Sequence, residues 1–333
     1  MDKKIVLIDG HSILFRAFYG MPDLTTSKGE HTNAVLGFLN ILFKIIDEEK
    51  PQYLAVAFDT HHPTFRHDIF TEYKGTRKPM PEELREQVPI MKELLRAMNV
   101  TVIEKPGFEA DDVLGTLATK AEKEGYNVSL VSGDRDLLQL ASDKIKVRIP
   151  KTKRTGTEIE DYLAEDVKEK YNVTPKQFID LKGLMGDTSD NIPGVPGIGE
   201  KTAGKLIGEY KSMEELYEHI DELTPGKVTN ALKDNRELAF LSKKLATICT
   251  DCDLDINLQD ATLGNTTSKV STHGKPGSKP GKYNRYELQN TIKKLLAGDA
   301  GSRIHTCMKP YAQDVAVKST GEHFHFDGIM ACG

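Results

Sequence analysis

Val100-Thr101-Val102-Ile103 runs through Glu104-Lys105-Pro106-Gly107-Phe108 into Glu109-Ala110-Asp111-Asp112-Val113-Leu114-Gly115, and the reading of this stretch decides the fold. The apolar run has the composition of a buried strand. Pro106 and Gly107 break it, and Val113, Leu114, Leu117 and Ala118 then recur at helical spacing. A strand therefore feeds a helix, and the acids sit at the junction. The spacing places Glu109 and Asp112 on one helix face, with Asp111 one position round. Acids favour the positive end of a helix by roughly 0.3–1 kcal/mol each, which accounts for one or two of them. Adjacent like charges beyond that repel one another unless cations share the space between them.

The same pattern recurs on either side. Ile5-Val6-Leu7-Ile8 ends at Asp9-Gly10, Tyr53-Leu54-Ala55-Val56-Ala57-Phe58 ends at Asp59, and Val128-Ser129-Leu130-Val131-Ser132 ends in Gly133-Asp134-Arg135-Asp136. Between these runs lie helical patterns: one through about Tyr19, one from Val35 to Ile46 after a polar loop from Pro22 to Thr32, and one carrying Val88, Met91, Leu94, Leu95 and Met98. Strands alternating with helices predict a doubly wound, mainly parallel α/β sheet, whose ligands bind outside the carboxyl ends of the strands. A single terminal Asp is ordinary turn chemistry. Asp9, Asp59 and Asp134 beside Glu109, Asp111 and Asp112 converge on one crevice, and carboxylate ligation without His or Cys points to hard ions such as Mg²⁺ or Mn²⁺.

Composition sets the outer bounds. The chain of 333 residues is long enough for a sizeable core, and 38% apolar with 29% charged residues reads as a soluble globular protein. A net charge of −5 argues against a generally basic nucleic-acid coat, although patches of opposite sign average out in such a figure. The apolar run after Met1-Asp2-Lys3-Lys4 is too short for a signal peptide and no segment is long enough to span a membrane, so a cytoplasmic location is expected. Cys249 and Cys252 form a close pair, but the partners that would complete a zinc set, His305 and Cys307, lie far downstream. Reduced thiols are the expectation.

Lys144, Lys146, Arg148, Lys151, Lys153 and Arg154 make a basic strip that reads either as a solvated face or as a surface for a phosphate backbone. A second signal-rich region runs from Gly183 through Asp187-Thr188-Ser189-Asp190-Asn191 to Ile192-Pro193-Gly194-Val195-Pro196-Gly197-Ile198-Gly199-Glu200-Lys201-Thr202-Ala203. Gly194, Gly197 and Gly199 free a tight turn between two helices, and the backbone N–H groups at the start of the second helix attract phosphate, with Lys201, Thr202 and Lys205 adding side-chain contacts. A Walker loop and a dinucleotide fingerprint both fail on spacing. The pattern is that of a helix-hairpin-helix, which grips a DNA backbone without reading bases. Helical patterning continues from Glu214 to about Ile248, Thr266 to Lys282 reads as a flexible basic linker, and one short helical stretch lies near Leu288–Leu296.

These motifs together resemble the 5′-nuclease, or flap endonuclease, family, in the branch formed by the 5′→3′ exonuclease domains of bacterial DNA polymerase I. The resemblance covers about residues 3–264 and is carried by LIDGHSILFRAF at 7–18, FD at 58–59, FRH at 65–67, EYKGTRKPMP at 72–81, EADD at 109–112, SGDRDLLQL at 132–140 and GDTSDNIPGVPGIGEKTA at 186–203. It implies a metal-dependent nuclease core over 1–172 with a helical arch at about 66–98, a DNA-binding region over 173–264, and a linker and atypical tail over 265–333. It also implies two Mg²⁺ or Mn²⁺ ions, one served by Asp9, Asp59, Glu109, Asp111 and Asp112, the other by Asp134, Asp136, Asp187 and Asp190. Tyr73, Lys74 and Arg77 would lie in the arch, and Arg16 would contact a phosphate.

On a helix, Lys74 and Arg77 turn to one side, where they can neutralise charge on a reacting phosphate, while Tyr73 stacks on an unpaired base for roughly 1–3 kcal/mol. The family further implies a K⁺ ion at the hairpin carbonyls and a monomer associated with the nucleoid. Its substrates would be branched, nicked or 5′-flap DNA and RNA primer–DNA hybrids, handled in primer removal and repair beside a DNA polymerase and a ligase. A polymerase I continues past this domain into proofreading-like and polymerase domains, and the residues after Gly264 match nothing in that pattern. Three competing readings remain: a silent DNA-binding module, a haloacid-dehalogenase-type phosphatase, and a small metal-dependent RNase fold. The phosphatase wants a second Asp two residues after the first, where His11 stands, and the RNase fold lacks the hairpin at 186–203.

Overall fold

The apolar runs become the centre of a six-stranded sheet in the computed structural model, which describes residues 3–26, 29–153 and 156–263. In chain order, β1 (Lys4–Asp9) leads into α1 (Gly10–Gly20) and α2 (Asn33–Glu49), and β2 (Tyr53–Ala57) follows. Then come α3 (Phe65–Ile69), α4 (Glu82–Arg85), α5 (Gln87–Ala97), β3 (Thr101–Ile103), α6 (Ala110–Lys123) and β4 (Asn127–Val131). A 3-10 turn at Asp136–Leu140 precedes β5 (Ile145–Lys153) and β6 (Gly156–Tyr162). The rest of the described chain is helical: α7 (Ala164–Tyr171), α8 (Pro175–Met185), α9 (Glu200–Tyr210), α10 (Met213–Glu218), α11 (Lys227–Asp234) and α12 (Arg236–Ala246), with short 3-10 turns between and after them.

The strand order is β3-β2-β1-β4-β5-β6, parallel throughout except for the β5–β6 pair. From β1 the chain steps outward through β2 to β3, then returns to place β4 on the other side of β1. The order therefore reverses between β1 and β4, and a crevice opens there at the carboxyl ends. Because successive strand residues face opposite sides, Ile5, Leu7, Ala55, Ala57, Val128 and Leu130 pack with α6, while Val6, Ile8, Leu54, Val56 and Val131 pack with α1, α2 and α5. Burial on both faces is why these strands read as unbroken apolar runs. The doubly wound, mainly parallel expectation holds.

Helix α6 forms where its sequence pattern demands. Val113, Leu114, Leu117, Ala118 and Ala121 are buried on the sheet, Asp111 and Asp112 lie in the first turn, and Lys120 and Lys123 lie in the last, each charge suited to its end of the dipole. The helical region beyond β6 shares this core: Phe178, Leu181 and Leu184 of α8 and Ala203, Leu206 and Ile207 of α9 belong to the same apolar cluster. Its last residues return to the sheet, where Thr101 Oγ1 donates to Asp260 O at 2.7 Å and Leu263 N to Gln52 O at 2.8 Å.

Two expectations change. The segment at 66–98 is not one helical arch: α3 and α4 are single turns, residues 71–76 form a chain of turns, and α5 is a core helix that buries Met91, Leu94 and Leu95. The middle of the basic strip, Lys146, Arg148 and Lys151, is not a free surface, while Lys144 is exposed just ahead of it. It forms β5, where Arg148 pairs with Glu48, Glu49 and Asp161, Lys146 with Glu49 and Asp161, and Lys151 with Glu160. Arg154, the Thr266–Lys282 stretch, the Leu288–Leu296 stretch, His305, Cys307 and Cys332 lie outside the described residues. Cys249 and Cys252 are free thiols, and among the described residues no helix is long and apolar enough to cross a membrane.

Candidate active site

Asp9 ends β1 and caps α1, its Oδ1 accepting from Ser12 N at 3.0 Å. Asp59 follows β2, and its Oδ1 accepts from Ala110 N at 2.8 Å, which ties the second strand to the start of α6. His11 lies edge-on to Phe58, and its Nδ1 accepts from Asp59 N at 3.1 Å. At the end of β4, Asp134 Oδ1 accepts from Asp136 N at 2.9 Å. Gly133 leaves room here, because a Cβ at that position would stand 2.9 Å from both the Arg16 guanidinium and Ser12 Oγ and would push those side chains aside. The crevice acids perturb one another strongly. Burial first, then the charge of Asp59, pushes Asp9 up to about 6. Burial and the charges of Asp9, Asp134, Asp59 and Glu109 raise Asp111 well above the carboxylate range. Burial also opposes ionisation of Asp59, but the neighbouring His11 side chain and the N–H of Ala110 prevail and hold it at about 2.

At the start of α6 the acids separate by role. Glu109 precedes the helix, and Asp111 points its Oδ1 into buried space with no hydrogen-bond partner. Asp112 departs from the expected ligand set. It is 0% exposed and fully engaged by protein donors: Arg66 at 2.7 and 2.8 Å, Glu109 N at 3.0 Å and Cys249 N at 2.8 Å. A carboxylate offers about four lone-pair sites, and here all are taken. Glu109 and Asp112 therefore do not share a crevice-facing side, and the residue one position round, Asp111, is the one the crevice receives.

Tyr73, Lys74 and Arg77 come together as expected, but on turns instead of a helix. Lys74 lies in the left-handed region at φ 56°, and its N–H donates to Asp190 O at 2.8 Å, while Asn191 Nδ2 donates to Glu72 O at 2.7 Å. The segment is thus stitched to the loop after α8. Lys74 Nζ lies 2.6 Å from Glu109 Oε1 and 3.8 Å from Asp190 Oδ2, and Arg77 pairs with Asp190. Tyr73 is 3% exposed, with its hydroxyl between Glu109 and Asp190, so in this state its ring is not offered to a base.

The second set of acids gathers round Lys182 of α8. Its Nζ lies 2.6 Å from Asp136 and 2.5 Å from Asp187, and Asp187 Oδ1 accepts from Ser189 N at 2.7 Å. Burial and the charge of Asp134 nevertheless push Asp136 up to about 7, while the Lys182 and Ser189 donors overcome burial and lower Asp187. Asp9, Asp59, Glu109, Asp111 and Asp134 thus face one another across the crevice, Asp136 lies beside Asp134 and Asp187, and Asp190 is joined to Glu109 through Tyr73, which links eight acids along one edge. Among the described residues, no three metal-binding side chains stand as a ready-made cage. Lys182, Lys74 and Arg77 hold several of the acids instead.

Beside the crevice, Arg16 lies against Gly133 with its Nε buried and without a hydrogen-bond partner. In the hairpin, Gly197, Gly199, Lys201 and Lys205 are exposed and Thr202 is half-buried at the start of α9. Gly194 departs from its expected place on that surface. It is buried at φ 62°, its N–H donates to Ser242 Oγ at 2.9 Å, and a Cβ there would stand 2.3 Å from Gly186 N. Its missing Cβ lets the turn close on Met185 and Gly186 at the end of α8.

Sequence reasoning missed Arg66, His11, Ser132, Gln139 and Lys182. Gln139 accepts from Ile248 N at 2.9 Å and donates to Ala246 O at 3.0 Å, fixing the end of α12 beside the acids. Arg66 and Gln139 fall within the quoted FRH and SGDRDLLQL motifs, but their partners lie more than a hundred residues away in some cases, where no local pattern points.

Residues 4–172 match the model of the 5′-3′ exonuclease N-terminal resolvase-like domain, and residues 173–269 match that of the 5′-3′ exonuclease C-terminal SAM fold. The DNA polymerase I of Bacillus caldotenax is 52% identical over 271 residues, covering 81% of this chain and 31% of that protein. The DNA polymerase I of Bacillus subtilis is 52% identical over 256 residues, covering 77% of this chain and 29% of that protein. The chain therefore spans about a third of the length of the curated relatives it matches. Among solved structures, T5 5′-exonuclease with bound zinc superposes with a TM-score of 0.59 at 23% identity, covering 93% of this chain and 99% of that one. The catalytic core of Rad2 in complex with DNA substrate gives 0.54 at 16% identity, covering 93% of each chain. At such identities these likenesses speak for the fold.

Proposed function

The chain belongs to the 5′-3′ exonuclease family, and on that premise we propose that it is a structure-specific 5′→3′ exonuclease and 5′-flap endonuclease that hydrolyses DNA phosphodiesters with two divalent cations. The observation that carries this reading is the set of eight linked carboxylates at the sheet's switch point, with the buried, unpartnered Asp111 Oδ1 among them. So much like charge in one place takes up protons or cations. The donors are all hard oxygens, which suits Mg²⁺ or Mn²⁺. Asp9, Asp59, Glu109 and Asp111 would hold one ion, and Asp134, Asp136, Asp187 and Asp190 the other, with Asp112 left to its structural partners. When bound, two such ions supply an activated water and stabilise the leaving oxygen, so no Ser or Cys nucleophile is needed.

The chain's own groups do the rest. Lys74 and Arg77 neutralise crevice acids in the free protein and are placed to turn to a substrate phosphate when cations take over that task. The unpartnered Arg16 Nε supports a phosphate contact at the rim. The exposed N-terminus of α9, with Lys201, Thr202 and Lys205, holds a duplex backbone, and a K⁺ ion at the hairpin carbonyls belongs to the same reading. A division into a nuclease core over 1–172 and a DNA-binding region over 173–264 is supported by six of the eight acids and by the hairpin, with Asp187 and Asp190 reaching the crevice from the second region. As a monomer at the nucleoid, the protein would act on branched, nicked or 5′-flap DNA and on RNA primer–DNA hybrids in primer removal and repair, beside a polymerase and a ligase.

The test is cleavage of a labelled 5′-flap duplex with Mg²⁺, with EDTA, and by Asp111→Asn, with binding followed by anisotropy. Metal-dependent cutting near the junction that Asp111→Asn abolishes while binding persists is the expected result. Tight binding without cleavage under any divalent metal would favour the silent DNA-binding module.

A further inference from the structure

The hydroxyl of Ser132 has no part in the chemistry above, yet it occupies the centre of the switch point. Ser132 is 0% exposed and follows β4 directly, its N–H reaching Arg148 O at 3.2 Å. A serine hydroxyl has one proton to give and lone pairs to receive. The proton goes to Asp9 Oδ2 at 2.8 Å, and the oxygen accepts the Asp134 N–H at 3.0 Å. Asp134 Oδ1 in turn accepts the Asp136 N–H at 2.9 Å. The Ser132 hydroxyl therefore ties the Asp9 carboxylate to the Asp134 backbone, and the Asp134 carboxylate in turn holds the Asp136 backbone. Ser12 closes the other side: its N–H binds Asp9 Oδ1 at 3.0 Å, and its Oγ accepts the Gly133 N–H at 2.8 Å. Each oxygen of Asp9 holds one protein donor and keeps lone-pair capacity for the crevice.

We infer that Ser132 is a positioning residue: its hydroxyl fixes Asp9 and Asp134 relative to one another and so sets the spacing at which the crevice takes up two cations. The inference rests on the metal-dependent reading above. A side chain that merely filled space would be replaceable by a methyl group without effect on ion uptake. One that orients a ligating carboxylate is worth roughly 10- to 100-fold in metal affinity.

The experiment titrates Mn²⁺ into the DNA-free chain of 333 residues, with binding read by calorimetry and by the free-ion paramagnetic signal, for the parent, Ser132→Ala and Ser132→Thr, and records thermal unfolding of each in EDTA. Ser132→Ala is expected to lose about tenfold or more in Mn²⁺ affinity while its melting point stays near the parent's, and Ser132→Thr, which keeps the hydroxyl, to bind as the parent does. Parent-like Mn²⁺ binding by the alanine variant overturns the inference and leaves the nuclease reading intact. So does a threonine variant that is as stable as the parent but as weak as alanine. If the threonine methyl group lowers the melting point, the alanine comparison decides alone. A parent chain that takes up no Mn²⁺ overturns both readings.

Discussion

The phenolic oxygen of Tyr73 lies 3.2 Å from Glu109 Oε2 and 3.0 Å from Asp190 Oδ2, so one hydroxyl spans an acid from the start of α6 and an acid from the loop after α8. A phenol has one proton for these two acceptors, and burial first, then the charges of Glu109 and Asp190, raises its pKa far above the ordinary phenol value. Tyr73→Phe keeps the ring and removes only the bridge. Loss of a buried hydrogen bond to charged groups costs about 1–3 kcal/mol. Urea unfolding should show that loss, and single-turnover cleavage should slow several-fold with flap-DNA affinity unchanged. If the ring served only as a stacking platform, phenylalanine would cut as fast as tyrosine.

Asp111 and Asp112 are neighbours with opposite expected effects. Asp112→Asn faces an amide toward Arg66, itself 2% exposed and held also by Leu245 O and Thr247 O. Breaking a buried pair in this way costs about 3–5 kcal/mol, so the urea midpoint should fall markedly. Asp111→Asn removes a charge that its neighbours already repel, so stability should hold or rise while cleavage is lost. Equal loss of stability in the two variants would contradict this division of roles.

The contrast shows what a sequence displays and what it conceals. Strand ends, the acid cluster and the hairpin were legible because they rest on local patterns: unbroken apolar runs, helical spacing and glycine turns. The eight crevice acids could be named because a parallel sheet delivers successive strand ends to one edge. Asp112 was misassigned because helical spacing cannot register Arg66 or the Cys249 N–H, which arrive from distant segments. Gly194 was given to the DNA surface because a positive φ and a close backbone approach look alike in sequence whether the neighbour is a ligand or Gly186. The basic strip misled for a similar reason, since its counter-charges Glu48 and Glu49 sit at the end of α2.

Those counter-charges carry a pH prediction. Glu49 is 5% exposed, with Lys146 at 2.7 Å, Arg148 at 2.8 Å and Lys4 at 3.0 Å. Burial alone would raise its pKa, but the three cations win and lower it from 4.5 to about 2. Because the folded value is depressed, the stabilisation is fully present above the unfolded pKa and is lost as pH falls from about 4.5 toward 2. A shift of this size corresponds to on the order of 3 kcal/mol. Urea midpoints of the parent and Glu49→Gln, compared at pH 7 and pH 3, should converge at the lower pH. A gap between them that stays constant with pH would rule out the linkage.

The hairpin separates residues that shape the turn from residues left exposed around the start of α9. Gly194→Ala would push a Cβ to within 2.3 Å of Gly186 N at φ 62°, where neither backbone segment can retreat. It should destabilise the helical region, visible as a lowered melting point. At Gly199, with φ −98°, no atom lies within 4 Å of an added Cβ, so Gly199→Ala should leave the melting point unchanged. Lys201→Ala with Lys205→Ala removes two exposed cations from the start of α9 and should also leave folding untouched. If each lysine neutralises one phosphate, the slope of log affinity against log salt falls by about 0.9 per lysine, roughly 1.8 for the pair. Anisotropy titrations of flap DNA across a salt series give that slope. A uniform loss of affinity with an unchanged slope would mean that these lysines act on the fold of the hairpin and not on the phosphate backbone.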